Sequence, residues 1–100
     1  MSKKFPPIHP GEILREEVLK PLEMSMNQLA GALRVPPNRI AQIVEGRRSI
    51  SADTALRLAR YLGTTPEFWM GLQMQFELER AQDDLAERLK KEIRPRKVAA

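Results

Sequence analysis

Apolar residues recur along the chain at spacings of three and four, and each run is punctuated by proline, glycine or a hydroxyl residue. That is helical periodicity with local start and stop signals, and it predicts five helices. Ile13, Leu14, Val18 and Leu22 form the first stripe. Pro10 suits a first helical position with His9 as its cap, and Pro21 after Lys20 ends the run, so helix 1 spans about 10–20. Helix 2, about 26–33, opens on Ser25 and Gln28, an S-x-x-Q capping box, and carries Met26, Leu29, Ala30 and Leu33 on one face. After Arg34, Val35 and Pro36, Pro37 opens helix 3, about 37–45. Its Ile40, Ile43 and Val44 point inward, and Gly46 stops it. Ser51 caps helix 4, which buries Ala55, Leu58, Ala59 and Leu62 and ends at Gly63. Thr65 caps helix 5, where Pro66 comes first and Phe68, Trp69, Leu72 and Phe76 make the initial apolar face. No segment alternates with β-branched residues, so no sheet is expected beyond a short N-terminal strand. The expected fold class is all-α: one domain over 1–93, followed by a flexible basic tail over 94–100.

Length and composition mainly exclude. One hundred residues fit one small domain, too small for a wide enzymatic cleft. With no cysteine there is no disulfide framework, CxxC pair or Cys-type zinc site. A lone histidine, His9, builds no metal site, so a cap or surface role is expected. The opening MSKKFPPIHPG has no apolar run, and neither a signal peptide nor a membrane span is expected; cytoplasmic location is the default. No nucleophile–base set, phosphate-cradling glycine loop or paired carboxylate stands out. Neither an enzyme nor a cofactor, metal or small-molecule ligand is expected.

The formal net charge of +4 is unevenly placed. Residues 25–50 carry Arg34, Arg39, Arg47 and Arg48 against Glu45 alone, a net +3. Helix 5, by contrast, is net acidic, and the tail adds Arg94, Arg96 and Lys97. A local basic patch is the footprint of a nucleic-acid contact, or of a solvated surface that happens to be basic.

The short helices 2 and 3, joined by very few residues, have the shape of a helix-turn-helix. In that motif the first helix braces across the backbone and the second lies in the major groove. With Ile40, Ile43 and Val44 inward, the outward residues are Pro37, Asn38, Arg39, Ala41 and Gln42. Asn and Gln bind adenine bidentately and Arg does the same to guanine. Arg47 and Arg48 follow where a loop would pass the phosphates. The amide ends of helices 2 and 3, with Ser25 and Gln28 at the first, suit phosphate as well.

The run SMNQLAGALRVPPNRIAQIVEGRRSISADTALRLARYLGTTPEFWMGLQ resembles the Cro/repressor-type helix-turn-helix family. More narrowly, it is similar to the HigA-type antitoxins, on the marks HPGEILREEVL, ISADTALRLARYLGTTPEFW and the LQ that follows. The resemblance covers about residues 5–80 and implies a five-helix, lambda-repressor-like domain with an extended C-terminal helix. Residue by residue, Ala30 matches the family's small residue in helix 2, and Ile40 and Ile43 its core positions. Asn38, Arg39 and Gln42 match its base-reading positions, and Arg47 and Arg48 its phosphate contacts. Two positions depart: Met26 stands where the family often has a phosphate-gripping glutamine, and Arg34 where the turn usually has glycine. The resemblance implies an antitoxin that neutralises a RelE/HigB-like ribonuclease toxin and represses its own operon. It would bind double-stranded operator DNA as a homodimer.

The bland alternatives are specific. Asn38, Arg39 and Gln42 also read as an ordinary polar face, Phe68 and Trp69 as core, and Glu12, Glu16 and Glu17 as a solvated face suited to the helix dipole. The stripe Met74, Leu78, Ala81, Leu85, Leu89 and Ile93 fits a dimer seam, a toxin surface or packing against its own domain. The dimer seam, centred on Leu78, Ala81, Leu85 and Leu89, is preferred. A stand-alone repressor without a toxin, and an interaction module in which the motif is only scaffold, complete the functional readings.

Overall fold

The computed structural model describes residues 5–97. Five helices follow one another with short connections, and there is no strand among the described residues. Residues 93–97 carry no helix; the remainder of the expected tail, and the start of the expected N-terminal strand, lie outside the described residues. Helix α1 covers 10–22, α2 Met26–Leu33, α3 Pro37–Val44, α4 Ala52–Leu62 and α5 Pro66–Glu92.

Local chemistry sets most of the helix starts. His9 Nδ1 accepts the Gly11 N–H at 2.8 Å above Pro10 at the first position. The capping box of α2 is complete: Ser25 Oγ accepts from the Gln28 N–H and Gln28 Oε1 accepts from the Ser25 N–H. Ser51 and Thr65 cap α4 and α5 by accepting from Thr54 and Phe68. Each such cap satisfies an orphan donor and contributes about 1 kcal/mol.

Helix α1 departs from expectation. It runs through Pro21 to Leu22 because Leu14–Leu19 is wound as a π-helix. A proline inside an α-helix lacks a donor and crowds the carbonyl four residues back. The wider turn, in which the Lys20 N–H reaches Arg15 O, makes room for it. The change of pitch also rotates the buried face: Leu14, Val18 and Leu19 are buried, and Leu22, expected inside, is 53% exposed. Glu23 then ends α1 in the left-handed region at φ 53°.

One core lies between the helices. Leu14, Val18 and Leu19 meet Leu29, Ala30 and Leu33 of α2, Ile40 and Ile43 of α3, Ala55 and Leu58 of α4, and Trp69 of α5. Val35 and Ile50 close it from the connections. Trp69 is fully buried with its indole N–H donated to Thr64 Oγ1 at 2.9 Å. The aromatic pair splits: Phe68, one residue earlier on the same helix, points outward and touches Trp69 edge to face. Trp69 is core and Phe68 is not.

Helix α5 leaves the core after its third turn. All of residues 80–97 are exposed, and Met74, Leu78, Leu85, Leu89 and Ile93 remain open to solvent on this single chain. The stripe therefore does not pack against its own domain. Ile93 lies just past the helix end in extended backbone, so the helical part of the stripe stops at Leu89.

Candidate nucleic-acid interface

Helices α2 and α3 are joined by a turn whose shape depends on Arg34. Its φ of 61° and ψ of 44° are left-handed, the conformation for which glycine is the usual choice. The Arg34 N–H bonds to Gly31 O and the Val35 N–H to Ala30 O, the paired bonds of a Schellman motif. The turn thus keeps the glycine geometry although the residue is arginine. A side chain there costs roughly 1–2 kcal/mol, part of which glycine would lose again through its freer unfolded chain. Arg34→Gly is expected to raise stability by about 0.5–1 kcal/mol, read as a higher urea midpoint at unchanged slope. A lower midpoint would show that the Arg34 side chain itself stabilises the turn.

Behind the turn, Arg57 of α4 acts as a brace. Its Nη1 donates to Leu33 O at 2.8 Å and lies 3.5 Å from Arg34 O, so it satisfies carbonyls at the end of α2. Its Nε donates to Asp53 Oδ1 at 2.7 Å. The Arg57 guanidinium and, next to it, that of Arg39 hold the Asp53 carboxyl below its ordinary pKa.

Helix α3 is short and its residues sort by side. Ile40 and Ile43 are fully buried; Pro37 and Asn38 are exposed; Arg39, Ala41, Gln42 and Val44 are half-buried. The expected outward edge is present, although its second half is partly shielded. Arg39 donates Nη1 to Asp53 Oδ1 at 3.0 Å. Its side chain is only 28% exposed, whereas a lone surface arginine would extend into water. The amide end of α3 contributes less than expected: Pro37 has no N–H, and the Arg39 N–H returns to Pro36 O. At α2 the box spends the Gln28 N–H and the Gln28 carbonyl, which leaves its side-chain NH2 outward.

The loop after α3 is held from behind. Gly46 turns the chain at φ 80°. Gln73, buried on α5, accepts the Ile50 N–H on its Oε1 at 2.8 Å and donates Nε2 to Glu77. The glutamine of the LQ mark is thus a loop anchor, which sequence reasoning did not assign. At the loop's other side the His9 ring is hydrogen-bonded to the Arg48 backbone; burial lowers its pKa below 6.5, an effect the Arg48 bond opposes and nearby Arg80 reinforces. A neutral ring is what the Nδ1 cap on Gly11 requires. On this anchored loop Arg47 is paired with Glu45, and the Arg48 side chain is exposed with no ion-pair partner among the described residues. Exposed pairs such as Arg47–Glu45 contribute little and exchange readily for another anion.

Ser25, Gln28, Asn38, Arg39, Arg47 and Arg48 are therefore all surface-accessible, on α2, α3 and the loop after α3. Leu78, Ala81, Leu85 and Leu89 are exposed along α5, and Ala81 lines a cavity with Arg47 and Arg48. Glu16, by contrast, is taken up by Lys20 and Arg15, which lower its pKa, so one of the three acids of α1 is compensated within the helix. Among the described residues no group of three or more His, Asp or Glu gathers to hold a metal, and no helix is long and apolar enough to cross a membrane.

Comparison with known proteins matches the helix-turn-helix family HTH_3 over residues 16–69. Virulence-associated protein I of Dichelobacter nodosus is 52% identical over 83 residues, covering 83% of this chain and 77% of that protein. An addiction module antidote protein of the HigA family from Coxiella burnetii superposes with a TM-score of 0.87 at 50% identity, over 92% of this chain and 100% of that one. The Pseudomonas aeruginosa antitoxin HigA, solved with the higBA promoter, gives 0.87 at 45% identity, over 89% and 97%.

Proposed function

We propose, for a chain that belongs to the Cro/C1-type helix-turn-helix family and to its HigA-type antitoxins, that it is a cytoplasmic antitoxin and autorepressor. Helix α3 enters the major groove of double-stranded operator DNA. Asn38 and Gln42 meet adenine edges and Arg39 a guanine. Arg47 and Arg48 neutralise phosphates beyond the helix, and Ser25, Gln28 and Pro37 flank the backbone where the two helices start. One copy spans one half-site. Two copies, joined along Leu78, Ala81, Leu85 and Leu89, would read two half-sites about 34 Å apart, one turn of DNA. The protein partner is a HigB-like, RelE-type ribonuclease toxin, which the antitoxin neutralises by binding.

The observation that carries the DNA reading is the polar edge of α3, open at Asn38 and half-open at Arg39 and Gln42, backed by a buried Ile40–Ile43 face and followed by the anchored Arg47–Arg48 loop. A relative solved with promoter DNA supports the same direction. The test is a titration of DNA from upstream of the gene against a scrambled duplex over a range of salt. Arg39→Ala is expected to weaken the specific complex by about 1–3 kcal/mol. Arg47→Ala is expected to weaken binding to both duplexes and flatten the salt slope by about one. Unchanged affinity in both variants would remove α3 and its loop from the groove. The toxin half is tested by co-expression with the neighbouring gene product. Co-purification supports it, and separate elution leaves a repressor without a toxin.

A further inference from the structure

One oxygen of Asp53 gathers two guanidinium groups from different parts of the motif. Arg57, one turn along α4, donates Nε to Oδ1 at 2.7 Å while its Nη1 holds the Leu33 carbonyl at the end of α2. Arg39, on the outward edge of α3, donates Nη1 to the same Oδ1 at 3.0 Å. Asp53 stands in the first turn of α4, where a carboxylate suits the helix dipole, and Arg57 grips it whether or not Arg39 does. Arg39 is engaged through Nη1 alone. Its Nε and Nη2, the adjacent pair of donors that matches the O6 and N7 acceptors of guanine, stay unspent.

We propose that Asp53 is a positioning residue for base reading: it holds Arg39 by Nη1, so that the Nε–Nη2 edge is already ordered when DNA arrives, and Arg57 ties that arrangement to the turn. This rests on the groove reading of α3 given above. A long arginine side chain otherwise loses its rotamer freedom on binding, and a pre-ordered one loses less. Asp53 takes part in specificity without touching DNA.

Charge alone predicts the opposite sign, which makes the proposal testable. A carboxylate near the duplex repels phosphate, so its removal should strengthen binding to any sequence. The full chain, Asp53→Asn, Arg39→Ala and the double variant are titrated on the upstream duplex and on a scrambled duplex of equal length. Asp53→Asn is expected to lower the ratio of specific to non-specific affinity about 3- to 10-fold, with no loss on the scrambled duplex. The double variant is expected to be no worse in that ratio than Arg39→Ala, because coupled residues are not additive. Asp53→Ser serves as the second variant if the amide perturbs the start of α4. The proposal is overturned if Asp53→Asn strengthens both duplexes equally, or if its loss multiplies with that of Arg39→Ala. If Arg39→Ala itself leaves the ratio unchanged, base reading by Arg39 fails and positioning fails with it. An Arg39→Ala loss beside a neutral Asp53→Asn overturns the positioning alone.

Discussion

Gly11→Ala is expected to destabilise the domain by about 3 kcal/mol or more, at or beyond the upper end of ordinary overpacking. A Cβ at position 11 would stand 1.7 Å from the Ile43 carbonyl oxygen, 2.6 Å from its carbon and 3.0 Å from the Val44 Cα. These are backbone atoms of α3, so no rotamer change relieves the clash. Either α1 lifts away, withdrawing Leu14 and Val18 from the core, or the end of α3 is pushed outward. Small domains have only about 5–15 kcal/mol in total, so the loss is a large share. Where α3 is the element that yields, molecules that do fold should also bind DNA poorly. Urea unfolding of both proteins checks this; a loss under about 1 kcal/mol would mean that α1 does not rest directly on α3.

Leu85→Glu combined with Leu89→Glu is expected to convert the proposed dimer to a monomer and to lower operator affinity by about 100-fold or more, since the second half-site is no longer tethered to the first. Both leucines are open on the isolated chain and lie beyond the core, so the monomer should keep its folded domain, with a thermal midpoint lowered only by the loss of association. In a paired seam, however, each would become a buried charge without a partner. Light scattering gives the mass, and titration on the upstream duplex gives the affinity. An unchanged dimer mass would contradict a seam along this stretch of α5.

How much of this was readable in advance depended on range. The starts of α2, α4 and α5 were readable because Ser25, Ser51 and Thr65 act on backbone donors within three residues. The inward face of α3 followed from spacing alone. The end of α1 did not, because Pro21 is accommodated by a π-wound turn and periodicity assumes a constant pitch. Phe68 lies outside because α5 meets the domain along a narrow stripe, Trp69 and Gln73, and a neighbour about 100° round the helix is left in solvent. The brace of the candidate site was not read either. Asp53 and Arg57 are a visible i, i+4 pair, but their hold on Arg39 and Leu33 spans 14 and 24 residues. Gln73 reaches Ile50 over 23. In the sequence Gly11 stands out only as part of the HPGE motif; the carbonyl of Ile43 supplies the reason for it.

The central claim is that α3 lies in the major groove of each half of a two-fold operator. Dimethyl sulfate protection of the upstream DNA tests it most directly, because the reagent methylates guanine N7 on the floor of that groove. The account predicts two protected patches, centred about 34 Å apart, that lose their guanine protection with Arg39→Ala while Arg47→Ala merely demands more protein. Binding that leaves every guanine N7 open to methylation, or protection that Arg39→Ala leaves intact, would contradict it.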